Sequence, residues 1–344
     1  MGPGADGRAH ASQARSAAEV VPRPPRVGLA LGGGGAIGAA YHAGALAALE
    51  HDLGWDARHA DVVVGTSAGS LVGALLRLGV PATDLAALTV GVPSKSASDA
   101  LATWVLDRPA FAPMTVGHIL RAPRLPRPEM LVGLAKLAAK QHSFPVAALS
   151  MLLPDGREML APHLQFLDNL PTNSAKNESL LVCAVRRRDW RRTVFDSRDP
   201  SVSLSAALAA SCAVPGYFAG VTINGETYVD GGVISATNAD VLRRHGLDLA
   251  IVVSPMTGSA RWPSMSHLVR HLCRRTLDAE LRSLRHHGIP TVVIEPGAEV
   301  TRHMSLDFMS ESASTDIVHS AFFDTGAQIA NNPTLRALQR RQAA

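Results

Sequence analysis

The feature that most constrains the fold is an apolar run, a glycine-containing turn and a helical segment, which occur in this order twice. Val27–Leu31 is a short apolar run that ends in four glycines, and residues 38–50 follow with alanine and leucine at helical spacing. Residues 61–64 form a second apolar run, and residues 68–78 are again helical and end before Pro81. Two successive strand–turn–helix units predict an α/β fold with a parallel sheet.

The rest of the chain adds further strand and helix signals. The dipeptide Asn224-Gly225 lies between two short apolar runs and predicts a two-residue hairpin. Strands are predicted at residues 180–185, 193–195, 221–223, 227–229, 249–253 and 291–294. Helices are predicted at residues 204–212, 267–286 and 314–330, and from residue 333 onward.

The domain prediction follows from length and local composition. A chain of 344 residues with 47% hydrophobic content can bury one large core. Residues 1–25 are small, polar and proline-punctuated, which predicts a disordered tail before one large folded domain at 26–344. Residues 95–176 are rich in proline and predict an inserted cap. Within the cap, residues 130–140 form an amphipathic helix candidate, for which packing on the core and contact with lipid both stay open.

Composition restricts the compartment and the partners. Three cysteines far apart in sequence match neither a disulfide framework nor a zinc site, so reduced thiols and a cytoplasmic protein are predicted. The net charge of +4 is scattered, and no nucleic-acid partner is predicted. No run approaches the roughly 18 apolar residues of a membrane span. Membrane contact is therefore expected to be peripheral, through the cap, and the oligomeric state is not predicted.

Residues 65–69, Gly-Thr-Ser-Ala-Gly, have the form G-x-S-x-G. A serine in a sharp turn between a strand and a helix has an exposed hydroxyl, and small residues two places to either side allow the turn to close. The helix N-terminus that follows stabilises negative charge on a bound oxygen. Ser67 is therefore the candidate nucleophile, with Gly65 and Gly69 as its elbow glycines. The alternative is a serine that only caps the helix.

Gly32, Gly33, Gly34 and Gly35 follow the first strand directly. Glycines let backbone N–H groups point into a cavity, where they bind a phosphate or a transition-state oxyanion. A dinucleotide-binding loop is the alternative, because Gly33, Gly35 and Gly38 spell G-x-G-x-x-G. That fold needs an acidic residue at the end of the second strand, and here the second strand leads directly into Ser67. We therefore predict an oxyanion loop at Gly32 to Gly35.

The triplet Asp230-Gly231-Gly232 follows the predicted hairpin. Taken alone, an Asp-Gly pair is most simply a turn. In combination with the glycine loop and G-x-S-x-G, Asp230 becomes the candidate base, and Gly231 and Gly232 become the glycines of its motif.

These three motifs, in this order, make the sequence resemble the patatin-like phospholipase family. The segment at residues 210–218, just before D-G-G, is similar to the family's alanine-serine-proline-phenylalanine block. The resemblance covers residues 26–232 well and is weaker through the cap and the C-terminal third. It implies a three-layer α/β/α fold with a mostly parallel central sheet and a Ser67–Asp230 dyad. It also implies hydrolysis of lipid carboxylic esters through an acyl-serine, with no metal and no cofactor.

One position departs from the family pattern. Many relatives carry arginine or lysine where this chain has Ile37. An apolar residue there weakens the case for a phosphate-directed subsite and leaves the dyad unchanged. Neutral acylglycerols and simple esters become more plausible substrates, and phospholipids are not excluded.

Other functions remain open from the sequence alone. An α/β-hydrolase with a Ser-His-Asp triad needs a downstream histidine, and the candidates are His245, His267, His286, His287, His303 and His319. An acyltransferase with a serine elbow commonly has histidine where this chain has Thr66. A non-catalytic lipid-binding regulator could retain the fold. The stretch at residues 304–309 is apolar, which suggests core or the lining of an acyl channel.

Overall fold

The computed structural model describes residues 23–93, 150, 153, 156–170, 179–259, 265–305 and 307–342. Within these residues, eight strands form one sheet in the order β5-β6-β3-β2-β1-β7-β8, with β4 also paired to β3. The strands are β1 (Val27–Leu31), β2 (Val62–Thr66), β3 (Ser179–Arg186), β4 (Arg191–Asp196), β5 (Val221–Ile223), β6 (Glu226–Asp230), β7 (Leu249–Val253) and β8 (Thr291–Ile294).

The central strands of the sheet are parallel, whereas β4, β5 and β6 pair with their neighbours in the antiparallel orientation. Strands β3, β2, β1, β7 and β8 pair in parallel, whereas β4 and β6 run antiparallel to β3 and β5 pairs antiparallel with β6. The central strands β1, β2 and β7 are fully buried. Full burial on both faces explains why these strands read as continuous apolar runs rather than as alternating patterns.

Helices cover both faces of the sheet. They are α1 (Gly35–Asp52), α2 (Ala68–Arg77), α3 (Ala82–Thr89), α4 (Ala161–Leu164), α5 (Leu204–Ser211), α6 (Met265–His286), α7 (Ala298–His303), α8 (Ser314–Asn331) and α9 (Pro333–Gln342). Leu29 and Leu31 pack into the core cluster that contains residues of α1, α2 and α8, and Ala30 packs into the cluster that contains residues of α6. The strands thus separate two apolar cores, and the α/β/α layering is confirmed.

Strand β3 brings two distant parts of the chain together. Thr66, the last residue of β2, pairs with Cys183, and Asp230, the last residue of β6, pairs with Ala184. Because Cys183 and Ala184 are adjacent on β3, the ends of β2 and β6 meet at neighbouring positions. The segment that follows β2 therefore lies beside the carboxylate that ends β6.

Most of the predicted elements are confirmed, and three helices, α3, α4 and α7, were missed. Strands β1, β5, β7 and β8 have the predicted bounds, and the hairpin at Asn224-Gly225 joins β5 to β6. Helix α3 was not predicted because Pro81 reads as the end of the preceding helix, whereas it stands directly before α3, where its missing N–H costs nothing. Helix α7 is a short turn without a strong apolar pattern.

Several predictions concern residues outside the described part of the chain. Most of the predicted tail, most of the cap and the whole helix candidate at residues 130–140 belong to this group. Among the described residues, no helix combines the length and the apolar character needed to cross a bilayer.

Candidate active site

Ser67 occupies a sharp turn between β2 and α2. Its φ of 51° and ψ of −126° lie in a region that a residue with a side chain rarely adopts. The flanking strand and helix hold this strained conformation, as expected for a nucleophile elbow. Ser67 stands at the N-cap position of α2, but its hydroxyl makes no capping hydrogen bond to the helix, so the alternative of a serine that only caps the helix is not supported.

Gly65 and Gly69 are required by close backbone packing around this turn. A Cβ atom on Gly65 would lie 2.4 Å from the Ser70 Cα, and a Cβ atom on Gly69 would lie 2.1 Å from the Leu31 carbonyl oxygen. The first contact lets the turn close, and the second lets α2 pack against the end of β1. The G-x-S-x-G motif therefore places Ser67 next to the loop that follows β1.

Two buried hydroxyl groups fix the backbone of the turn. The Ser67 N–H donates to the Ser211 Oγ at 2.9 Å, and the Ser211 hydroxyl donates to the Cys183 carbonyl at 2.7 Å. The Ser70 hydroxyl donates to the Ser67 carbonyl at 2.6 Å. These bonds satisfy polar groups that have no access to water. Ser211 belongs to the segment before D-G-G. Its hydrogen bond to the Ser67 N–H gives this segment a structural role in holding the turn at Ser67.

Asp230 ends β6 and lies beside Ser67 at the cavity. Its Oδ1 accepts the Gly232 N–H at 2.6 Å, whereas its buried Oδ2 accepts no standard hydrogen bond from any described residue. Burial raises the pKa of Asp230 to about 6, against the lowering effects of the nearby Ser67 hydroxyl and the Gly232 amide. The aspartate is thus a turn residue whose buried carboxylate uses only Oδ1 to hold the turn.

The glycines after Asp230 have separate packing roles. A Cβ atom on Gly231 would lie 2.3 Å from the Cys183 carbonyl oxygen, and one on Gly232 would lie 2.9 Å from Asp230 Oδ1. Gly231 therefore permits close approach to β3. Gly232 permits its own amide to reach the carboxylate.

The glycine loop runs along the other side of Ser67. A Cβ atom on Gly33 would lie 3.2 Å from the Ser67 Cβ. Gly34 and Gly35 have positive φ values of 154° and 62°, and α1 begins at Gly35. The N-termini of α1 and α2 thus both lie near Ser67, where their aligned peptide dipoles favour negative charge.

Only part of this loop has amides available for an oxyanion. The Gly32 N–H donates to the Val253 carbonyl at 3.0 Å, and the Gly33 N–H donates to the Ala236 carbonyl at 2.7 Å. This corrects the prediction for Gly32 and Gly33, whose amides are occupied by the fold. The Gly34 and Gly35 amides donate to no other described backbone or side-chain group, so they are the donors that the loop leaves free.

A buried histidine on α1 forms a hydrogen bond with the glycine loop. His42 lies on α1, and its Nε2 is 2.6 Å from the Gly32 carbonyl oxygen. Burial lowers the pKa of His42 to about 4, although the Gly32 carbonyl acts in the opposite direction. The ring is therefore neutral near pH 7, and Nε2 carries the proton that it donates to Gly32. Sequence reasoning missed His42, which looks like an ordinary helical residue.

A buried polar network holds the segment after D-G-G. Asn238, with a φ of 49°, donates from Nδ2 to the Thr66 Oγ1 at 3.0 Å. The Glu280 Oε2 on α6 accepts the Thr237 hydroxyl at 2.5 Å and the Ala239 N–H at 3.0 Å. These bonds fix the segment that contains Ala236, whose carbonyl accepts the Gly33 N–H of the glycine loop. Sequence reasoning missed Asn238 and Glu280, because partners so distant in sequence leave no local pattern.

An apolar cavity of about 280 Å³ opens beside Ser67 and Asp230. One part of its wall comes from α6, where residues at positions i, i+3, i+4 and i+7 face the cavity. These are Val269, Leu272, Cys273 and Thr276. Further apolar lining comes from Leu153, Val214, Pro215, Tyr217, Met256, Phe308 and Met309. No described residue of the lining is an arginine, a lysine or a histidine, and most of the described lining is apolar.

The other residues that the sequence analysis singled out have different positions relative to the cavity. Ile37 is buried in the core. Met304 is also buried, whereas Phe308 and Met309 line the cavity, and Leu306 lies outside the described residues. None of the six histidines proposed for a triad lines the described part of the cavity; these are His245, His267, His286, His287, His303 and His319.

The match to a protein family agrees with the motifs. Residues 29–243 match a family model described as patatin-like phospholipase. No curated protein matches the chain. The crystal structure of VipD from Legionella pneumophila is similar over 90% of this chain and 67% of VipD, at 15% identity and a TM-score of 0.43. The type III effector ExoU is similar over 92% of this chain, at 17% identity and a TM-score of 0.37. The chain spans about half the length of ExoU, 54%.

Proposed function

Because the chain belongs to the patatin-like phospholipase family, we propose that it is a lipid acyl hydrolase in which Ser67 and Asp230 form a catalytic dyad. The observation that carries this proposal is that Ser67 and Asp230 line one apolar cavity. They lie close together because the ends of β2 and β6 pair with adjacent residues of β3. Family membership supports the hydrolysis of lipid esters in general. The strained serine and the buried carboxylate support this particular mechanism.

The first half of the reaction forms an acyl-serine. The Ser67 Oγ attacks the carbonyl carbon of the ester, and its proton passes to the free Oδ2 of Asp230. The tetrahedral intermediate then collapses, the ester C–O bond breaks, and Asp230 returns the proton to the leaving alcohol. The Ser67 hydroxyl lies near the Asp230 carboxylate, and such contacts commonly tighten when substrate binds.

The second half repeats this chemistry with water. Asp230 accepts a proton from a water molecule, whose oxygen attacks the acyl carbon. When the bond between the acyl carbon and the Ser67 Oγ breaks, Asp230 returns this proton to the Ser67 Oγ and the carboxylic acid leaves. In both halves the negative oxygen of the intermediate would be bound by the Gly34 and Gly35 amides, at the N-terminus of α1. The hydrogen bond from His42 to Gly32 keeps the loop in the required position.

The cavity supports neutral lipids as the substrate class. Ile37 is buried away from the cavity, and the described lining contains no cationic side chain that could pair with a phosphate. We therefore propose acylglycerols or simple long-chain esters as substrates, in preference to phospholipids.

Two alternatives are less well supported. A triad esterase needs a histidine that reaches Ser67, and the one described histidine beneath the loop, His42, bonds to Gly32 instead. A non-catalytic lipid-binding protein has no requirement for a strained serine beside a buried carboxylate.

The pH dependence of hydrolysis tests the proposal. Asp230 must be ionised to accept the Ser67 proton, and burial raises its pKa to about 6. We expect kcat/KM to be constant above this value and to fall about tenfold per pH unit below it. The measurement is a pH–rate profile with a monoacylglycerol and, in parallel, with a phospholipid that carries the same acyl chain.

The outcome separates the mechanism from the substrate class. Higher kcat/KM for the neutral lipid supports the proposed specificity, and the reverse order would contradict it. A profile governed only by a group that titrates near pH 4, the ordinary range of an exposed carboxyl group, would contradict the role of buried Asp230.

A further inference from the structure

The exposed side of α6 is strongly basic. Arg275, Arg282 and Arg285 are exposed there and form no ion pair with any described residue. Arg274 is paired with Asp278 at 2.9 Å and with Glu295 at 2.7 Å. Helix α6 thus has four arginines and one aspartate on its outer side, in a chain whose net charge is only +4. We call Arg275, Arg282 and Arg285 the basic face.

The basic face and the cavity lie on different sides of the same helix. The cavity-lining stripe includes Leu272 and Thr276, whereas Arg275 and Arg282 are separated by seven residues, which is nearly two helical turns. The sequence pattern of α6 is therefore divided in two, with apolar residues toward the cavity and arginines toward solvent.

An exposed apolar residue lies at the border between these two sides. Leu268 is 48% exposed, one turn before the cavity-lining Leu272 on α6. Residues four apart on a helix are neighbours, so Leu268 and Leu272 form a short apolar strip from solvent to the cavity wall. No described residue packs over Leu268 closely enough to bury it.

We propose that the basic face of α6 binds the surface of an anionic lipid bilayer. This binding keeps the enzyme close to its lipid substrate. This inference rests on the proposed lipid hydrolase function. Charge complementarity favours the anionic bilayer, because each arginine near such a surface contributes to binding. Leu268 adds the apolar contact that a bilayer can accept and a purely polar polyanion cannot. Binding here would place lipid beside the helix that lines the acyl cavity.

The test is flotation of the full chain with lipid vesicles. The Ser67→Ala protein is used so that vesicle lipids are not hydrolysed. Phosphatidylcholine vesicles that contain phosphatidylglycerol are compared with pure phosphatidylcholine vesicles, and a DNA duplex serves as a polyanion without an apolar phase. We expect binding to the anionic vesicles alone, and we expect it to weaken as salt is added because exposed charges are screened.

A matched pair of triple variants locates the binding surface. Replacement of Arg275, Arg282 and Arg285 by glutamine is expected to reduce vesicle affinity about 100-fold. The control replaces Arg191, Arg302 and Arg336, which are exposed on β4, α7 and α9, and it changes the net charge by the same amount. We expect the control to lose less than about threefold, because these arginines do not belong to the basic face. Thermal unfolding of both variants verifies that they are folded.

Three results would overturn the proposal. The first is equal loss of affinity in both triple variants, the second is binding to neutral vesicles as tight as to anionic vesicles, and the third is preferential binding to the DNA duplex.

Failure of the proposed function is recognised separately, with protein that retains Ser67. If that protein binds anionic vesicles but hydrolyses neither short-chain soluble esters nor lipids, the hydrolase proposal fails and the docking surface stands. If it hydrolyses esters but does not bind anionic vesicles, the docking surface is refuted and the hydrolase proposal stands.

Discussion

Replacement of Asp230 by asparagine is expected to slow turnover strongly and to stabilise the fold. Loss of the base should lower kcat by roughly a thousandfold, within the range typical of general-base catalysis. The folded state raises the pKa of Asp230 from 3.8 to about 6, so it holds the proton more tightly than the unfolded chain does. Stability contributed by this group is therefore lost as the pH rises from about 4 through 6. Asparagine removes the buried charge and should recover up to about 3 kcal/mol above pH 6.

The measurement combines ester hydrolysis with denaturant unfolding at pH 8 and at pH 4. The stabilisation should be present at pH 8 and should largely disappear at pH 4, where Asp230 is protonated in the wild type. Asp240→Asn is the matched control. The pKa of Asp240 is lowered, because Arg192 and Arg243 outweigh the effect of its burial, so this variant should be destabilised. Hydrolysis by folded Asp230→Asn protein at the wild-type rate would contradict the role of Asp230 as the base.

Replacement of Gly35 by alanine is expected to reduce kcat about 100-fold to 1000-fold, because it disturbs the amide donors of the oxyanion loop. Gly35 has a φ of 62°, and a Cβ atom there would lie 2.2 Å from the Phe308 carbonyl oxygen. The loop or the Phe308 segment must shift, and the Gly34 and Gly35 amides then lose their alignment beside Ser67. A soluble short-chain ester is the substrate, and kcat and KM are determined separately.

The chain offers a control with the same backbone conformation. Gly54 has a φ of 68°, and a Cβ atom there would have no atom within 4 Å. Gly54→Ala therefore bears the strain of a left-handed residue without a steric clash, and its kcat should remain near the wild-type value. A folded Gly35→Ala protein with kcat within about threefold of wild type would contradict the assignment of the oxyanion loop to these amides.

The parts of the fold that local sequence determines could be predicted. Buried strands such as β1 and β7 are apolar along their whole length, and Asn224-Gly225 adopts a turn that few other dipeptides favour. The motifs around Ser67 and Asp230 could be found because their residues are neighbours in sequence, although Gly69 and Gly231 pack against the distant Leu31 and Cys183. Helix α3 was missed because a proline is compatible with both the end and the beginning of a helix.

The supporting contacts of the site could not be predicted, because they join distant parts of the chain. Glu280 bonds to Thr237, Asn238 to Thr66, and Ser211 to Ser67, and no local pattern in the sequence records these pairs. The division of the glycine loop into occupied and free amides depends on the Val253 and Ala236 carbonyls, which the topology brings to the loop. The sequence therefore predicts an oxyanion loop at Gly32 to Gly35, but it does not reveal that the Gly32 and Gly33 amides are occupied by the fold.

The proposed mechanism requires Ser67 to be an activated nucleophile, and covalent labelling tests this requirement most directly. The protein is treated with a fluorophosphonate probe, and the modified peptide is identified by mass spectrometry, with Ser67→Ala as the control. We predict one adduct, on Ser67, which is absent from the variant and forms more slowly below pH 6, where Asp230 becomes protonated. No adduct on Ser67 in a folded protein, or equal labelling of the Ser67→Ala variant, would contradict the mechanism.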